Sequence, residues 1–134
     1  MNDIDDLAGG NLSYGSYIPF QLFAGDDDPV TQSFAVAPNT AIAKYQVLAV
    51  NGSNQLVPHA PAAGDSTAKA LYVACQPLAS NASAVMLPVY VEGFFNHEAL
   101  VWDASLTTLA QRQAAFRYNG ADIKIGALYG ATEV

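Results

Sequence analysis

The residues of this chain best suited to chemistry are three consecutive carboxylates, Asp26-Asp27-Asp28, and a group in which Glu98 and Asp103 follow His97. Three acids attract a divalent cation, but a calcium loop alternates its ligands and needs a Gly and a distal Glu. Here neighbouring side chains diverge and Pro29 follows, so a solvated turn is expected and no metal site is assigned. A His near carboxylates performs acid–base work only where a nucleophile or a substrate converges on it. The sequence contains no G-x-S-x-G, no H-E-x-x-H and no phosphate-binding Gly loop. His97 is therefore expected in a turn or on the surface, and His59, between Pro58 and Ala60-Pro61, in a loop. Cys75 is the only cysteine, which excludes an intrachain disulfide and a thiolate cluster. Its apolar flank, Ala70-Leu-Tyr-Val-Ala74, predicts a buried strand thiol. No catalytic residue and no cofactor is expected, and the chain reads as a binding protein rather than an enzyme.

The strongest pattern is an asymmetry of charge. From Met1 to Pro29 there is no Lys or Arg but there are six acids, Asp3, Asp5, Asp6, Asp26, Asp27 and Asp28, out of a net charge of −7. Between the two acidic groups lies the uncharged stretch Tyr14-Gly-Ser-Tyr-Ile-Pro-Phe-Gln-Leu-Phe23. Over the whole chain of 134 residues, hydrophobic content of 51% with 13% charged residues supports a core, and the length suits one domain. A sequence pI near 4.3 argues against nucleic acid or an anionic membrane as partner, because both repel an acidic surface. Tyr14, Tyr17, Phe20 and Phe23 could stack on bases, but that mode needs a basic groove, and the first basic residue is Lys44. The start, Met-Asn-Asp-Ile-Asp-Asp, lacks the basic and apolar regions of a signal peptide, which predicts synthesis in a cytoplasm.

The elements that must position these residues are mostly strands. An N-terminal arm is read to residue 32, with Gly9-Gly10 as a joint and residues 25–29 as a turn; the domain is read as 33–134. A short strand is expected at 33–37. Residues 45–50 and 55–58 read as a hairpin about Asn51-Gly-Ser-Asn54, with Asn-Gly as the turn signal. Strands are expected at 68–75 and 85–95, with Pro88 placing the second at an edge or bulge. The spacing of Leu106, Leu109, Ala110 and Phe116 predicts a helix over 106–118, capped by Ser105 or Asp103 and ended by Asn119-Gly120, with Gln113 interrupting its apolar stripe. Residues 121–125 alternate as a half-buried strand does. The fold class is mainly β, an α+β domain with one short helix and an extended N-terminal arm.

In extended form Ile18, Phe20 and Leu22 share one face of the arm, while Tyr17, Gln21 and Phe23 share the other. Such a segment either pairs with its own domain or adds a strand to another chain, the flanking acids guarding against self-aggregation. Burying Ile18, Phe20 and Leu22 contributes on the order of 1.5–3 kcal/mol each. Ordering residues 17–23 costs roughly 1–2 kcal/mol per residue. Hydrogen bonds worth about 0.5–1.5 kcal/mol each bring the sum only near balance. One arm would bind weakly, and several arms on one oligomer would bind firmly.

From Phe34 to Ile125 the chain resembles the lambda-type bacteriophage head decoration proteins, also called capsid-stabilising or cement proteins. The matching features begin with Ala41-Ile-Ala-Lys-Tyr-Gln-Val-Leu-Ala-Val-Asn-Gly-Ser-Asn-Gln-Leu-Val57 and Ala68-Lys-Ala-Leu-Tyr-Val-Ala74. They continue through Val89-Tyr-Val-Glu-Gly-Phe-Phe-Asn-His-Glu-Ala-Leu-Val-Trp102 to Ala115-Phe116 and Gly120-Ala-Asp-Ile-Lys-Ile125. The resemblance implies a β-dominated domain that forms homotrimers at local three-fold sites on the outer surface of an expanded icosahedral head. It implies binding to the major capsid (coat) protein and stabilisation of the shell against internal DNA pressure, in the virion. It also implies an N-terminal segment that pairs with coat-protein strands, for which Tyr14, Tyr17, Ile18, Phe20, Leu22 and Phe23 are the residues available here. The arm is longer and more acidic than the family pattern, and Tyr45 stands where a relative has Pro. Two rival readings are a tail or adhesin-type subunit that exchanges N-terminal strands, and a small ligand-binding β-barrel.

Overall fold

A computed structural model describes residues 21–128. It contains six strands, β1 Val30–Val36, β2 Val47–Val50, β3 Leu56–Pro58, β4 Tyr72–Ala74, β5 Val85–Asn96 and β6 Asp122–Gly126, and one α-helix, α1 Leu109–Phe116. The mainly β class with a single helix is what the sequence implies. Strands β1, β3, β2, β4 and β5 follow one another round a five-stranded barrel, and β6 adds to β5. Most pairings are antiparallel; β1 with β3 and β5 with β6 are parallel. Closure between β1 and β3 rests on one pair, Val36 opposite Leu56.

Strand β5 is twelve residues long and serves two neighbourhoods. Its first part, Val85 to Glu92, lies against β1, and its last part, Glu92 to Asn96, lies against β6. The register against β1 skips Val91, since Val30 faces Glu92 and Thr31 faces Tyr90. That bulge bends the strand between its two roles. Pro88 is not at a sheet edge: Ser33 of β1 faces it, and its carbonyl accepts from the Cys75 N–H at 3.2 Å. The β4 ladder stops one pair earlier, at Ala74 opposite Val89, so the missing proline N–H is lost where pairing ends.

Other sequence expectations shift for local reasons. The connection between β2 and β3 is residues 51–55, with Asn54 at φ 61°. The Asn51 side chain accepts from the N–H groups of Ser53 and Gln55 at 2.9 and 3.0 Å, so the turn lies at residues 51–54 as read and is held as an Asx turn. The strand expected at 68–75 is shortened to Tyr72–Ala74, and Ala68 leaves it because the Asp65 carboxylate accepts from the Thr67 N–H and starts a 3-10 turn, Ser66–Ala68. Cys75 consequently lies just past β4 and is half-buried. Helix α1 is shorter than read and begins at Thr108, not at Ser105 or Asp103. Thr108 and Gln111 form a reciprocal capping box there. Asp103 instead binds the Ser105 N–H and hydroxyl at 3.1 and 2.6 Å. Gln113, which breaks the apolar stripe, donates to the Ile125 carbonyl at 3.0 Å and so closes part of the outer edge of β6.

The barrel takes in residues that the sequence reading assigns to the arm. β1 starts at Val30, and Leu22 is buried in the same cluster as Val47, Val73, Phe95, Phe116, Ile123 and Ile125. A second cluster, Val36, Ile42, Leu48, Leu56, Ala74, Leu87 and Val89, fills the other end. The chain reaches the barrel beside Phe94, whose ring is closely approached by two glycines. A Cβ on Gly25 would stand 2.7 Å from Phe94 Cδ2, and one on Gly126 would stand 2.6 Å from Cε1. Both sites require a hydrogen in place of a methyl, whereas nothing lies within 4 Å of a Cβ built on Gly52. Overpacking of this kind costs about 1–3 kcal/mol. Gly25→Ala and Gly126→Ala should each lower the thermal unfolding midpoint, with Gly52→Ala melting like the native chain. Equal midpoints for all three would refute the close approach to Phe94.

Candidate functional site

The candidate binding residues divide at the start of the described structure. Tyr14, Tyr17, Ile18 and Phe20 lie outside the described residues, whereas Leu22 and Phe23 lie within them. Residues 21–24 run antiparallel to the end of β5. The Leu22 carbonyl accepts from the Asn96 N–H at 2.7 Å, and the Ala24 N–H donates to the Phe94 carbonyl at 3.0 Å. Phe23 pairs with Phe95 across this short ladder. Its ring lies 5.2 Å from that of Phe95 and 5.8 Å from that of Tyr90, the latter edge-on. Both Leu22 and Phe23 thus pack on the chain's own core.

Asn96 is the residue that sequence reasoning missed. It is buried, its Nδ2 donates to the Gln21 carbonyl at 2.9 Å, and its Oδ1 accepts from the Glu98 N–H at 3.2 Å. One amide therefore fixes the incoming segment and starts the 3-10 turn His97–Ala99. The partner lies 75 positions away, so no local pattern signals it. Gln21 and Gly126 both border Asn96, the first through its carbonyl and the second by register. The chain therefore enters and leaves the described domain at the same end of β5.

The polar residues singled out by type do not converge on one another. His97 sits in a turn, as read, but is buried rather than surface-lying. Arg112 has only donors, so His97 Nδ1 accepts from its guanidinium at 2.9 Å. The His97 carbonyl accepts from Trp102 Nε1 at 2.7 Å, and the same guanidinium lies 5.4 Å from the Trp102 ring centroid. Arg112 Nε completes the arrangement on the Leu106 carbonyl. This is a brace between the 97–102 loop and α1. Glu98 is exposed, and Asp103 turns to Ser105, whose hydrogen bonds hold that carboxyl below its ordinary range. Asp26, Asp27 and Asp28 are exposed, with Asp27 2.8 Å from Lys124 Nζ. At this exposure solvent screens the pair. Among the described residues no three His, Cys, Asp or Glu are grouped to hold a metal.

Two surface recesses flank β6. One of about 320 Å³ is lined by Gln113, Phe116, Arg117, Ile123, Lys124 and Ile125. The other, of about 330 Å³, brings Asp27, Glu92 and Asp122 around Lys124. Neither contains a His, Cys, Ser or Thr that could act as nucleophile. The Cys75 thiol is pushed up by burial, which works against a reactive thiolate.

His59 is a loop residue by sequence and a buried one in the structure. Its Nε2 lies 3.0 Å from the Ala68 carbonyl, which can only accept, so that nitrogen carries the proton. Nδ1 has no hydrogen-bond partner among the described residues. Burial lowers the His59 pKa below 6.5, against the opposing pulls of the Ala68 carbonyl and the Asp103 carboxylate.

A family model described as bacteriophage lambda head decoration protein D matches residues 17–123. No curated protein matches the chain. The matched span takes in the whole barrel, the docked residues 21–24 and the arm as far back as Tyr17, while Asp3, Asp5 and Asp6 precede it.

The buried imidazole sets a pH dependence of stability. Because the folded-state pKa is depressed, the unfolded chain takes up the proton first as pH falls. Stability from this site is present above pH 6.5 and is lost as pH falls below it. Denaturant unfolding should show a lower midpoint at pH 5.5 than at pH 7.5, and His59→Gln should flatten that difference. An unchanged slope in the variant would assign the effect to other groups.

Proposed function

The chain belongs to the bacteriophage lambda head decoration family, a family of structural phage proteins, and from that premise we propose how this one decorates a capsid. The role it takes is that of a phage capsid decoration protein. In the proposed arrangement the domain sits as a homotrimer on the outer surface of the expanded head, at local three-fold sites. There it bridges neighbouring copies of the major capsid protein and resists internal DNA pressure. Synthesis is in the host cytoplasm, and residence is in the virion.

The observation that carries the mechanism is the attachment of residues 21–24 to β5. Leu22 and Phe23 root the arm in the barrel, through the core and through Asn96. A strand added to the coat protein by Tyr14, Tyr17, Ile18 and Phe20 would then transmit load straight to β5, the strand on which the barrel is built. A loosely hung arm would transmit none. The weak balance of a single short strand makes the trimer important, since three rooted arms raise the effective concentration of one another on the shell.

The composition of the barrel wall supports the shared surface that a trimer needs. Between Pro29 and Val91 the only charged residues are Lys44, Asp65 and Lys69. An acidic protein can bring copies together only through faces where its charge is absent. The uncharged wall also suits contact with a coat shell. No side chain in this arrangement needs to perform a reaction.

Removing residues 1–20 leaves every described contact in place, including the docking of residues 21–24. The truncated protein should keep the melting temperature and oligomeric state of the full chain. It should bind expanded coat-protein shells at least about tenfold more weakly in co-sedimentation, the equivalent of roughly 1.4 kcal/mol. Equal binding by the full and truncated chains would remove the arm from the mechanism. Equal binding of the full chain to unexpanded shells would refute a site created by expansion.

A further inference from the structure

Strand β1 has an edge that nothing in the described residues covers. The ladder to β5 runs the whole length of β1, but β3 meets β1 only at Val36. The direction of the uncovered groups follows from Pro88. Its carbonyl faces β4, where it accepts from the Cys75 N–H, so Pro88 and the facing Ser33 form a pair with no hydrogen bond between them. Ser33 therefore turns its N–H and C=O away from β5, and by strand alternation Thr31 does too. Ala37 confirms the parity, since its N–H leaves on that side to reach the Leu56 carbonyl at 3.0 Å. Val30, Thr31, Gln32 and Ser33 are all exposed, although neighbours in a strand point to opposite faces. This half of β1 thus lies at the rim of the barrel, with its own side chains exposed on both faces and its outer edge open.

Folded proteins blunt such edges with charge, proline or a covering segment. The outer edge of β6 shows the usual protection, with Asp122 and Lys124 on the strand and Gln113 closing the Ile125 carbonyl. β1, Val-Thr-Gln-Ser-Phe-Ala-Val, has no charge and no proline within it, and only Pro29 in front. An edge left unguarded in a soluble, acidic chain is an edge that meets a partner.

We infer that the outer edge of β1, at Thr31 and Ser33, accepts a strand from the coat protein, with a Lys or Arg of that strand beside Asp26 and Asp28. This rests on the capsid-binding reading above and adds a second, independent attachment in which the domain receives a strand instead of donating one. Charge selects the occupant. Asp27 is held by Lys124, but Asp26 and Asp28, at the entrance to β1, remain as acids. The arm of another copy carries Asp3, Asp5 and Asp6 and no base, so it brings like charge to that entrance. An uncharged strand ending in a basic residue fits both the edge and its neighbours.

The test uses the full chain and Ser33→Pro. The substitution deletes one outward N–H without removing a bond to β5, because Ser33 and Pro88 share none. The variant should keep its oligomeric state in free solution and bind expanded shells at least about tenfold more weakly than the native chain. Native-like binding by a folded variant would overturn the strand-accepting edge and leave the capsid reading intact. Failure of the native chain to bind shells would overturn both. A changed oligomeric state in free solution would assign the edge to a second copy and overturn the coat-protein occupant. A second measurement avoids any folding defect of the variant: amide exchange of the native peptide 30–36, free and on shells. Slower exchange on shells is expected, and unchanged exchange would overturn the inference.

Discussion

Everything in this structure depends on β5 being longer than any strand that pairs with it. Its twelve residues meet β1, β4, β6 and the incoming residues 22–24 in turn. A strand of ordinary length could hold the barrel or the end segments, but not both. The bulge at Val91 lets one strand change direction between these tasks without giving up its ladders. Phe94 and Phe95 then sit on opposite sides of the strand. Phe95 fills the core with Leu22 and Phe23 beside it, while Phe94 is closely approached by Gly25 and Gly126. The entry and exit of the described chain are thereby fixed to the same few residues.

This concentration of contacts is what the proposed load-bearing role would need. Residues 21–24 are joined to β5 through backbone hydrogen bonds, a buried leucine and the Asn96 amide. The brace of His97, Trp102 and Arg112 lies immediately after Asn96 and ties the same end to α1. Residue types that look catalytic in the sequence therefore brace the end of the molecule where residues 21–24 dock. In a buried setting a histidine accepting from an arginine is a structural joint, since both partners are already engaged.

Charge is distributed with equal economy. The wall built from β1 to the middle of β5 is almost free of it, whereas acids collect before β1 and around β6. A neutral wall permits close approach by large partners without the desolvation cost of buried ions. The acids beyond it bias which partners come near. The same low charge leaves β1 without the guards that edge strands normally carry.

The sequence by itself determined the mainly β class, the positions of most strands, the absence of a recognisable reaction motif and the acidic arm, because alternation and charge are local properties of neighbouring residues. Strands β2, β3, β5 and β6 lie where their patterns put them. The α1 boundary was recoverable too, from the Thr108 and Gln111 spacing, but a nearer cluster of capping residues competed with it. Only the tertiary structure decided where the arm ends. Its last residues read as a strand that pairs either with its own domain or with another chain, and their partners here, Phe94 to Asn96, lie some seventy positions along the chain. The burial of His59 and His97 and the outward turn of Ser33 belong to the same class. Each is set by which distant backbone lies alongside, and a linear pattern carries no record of that.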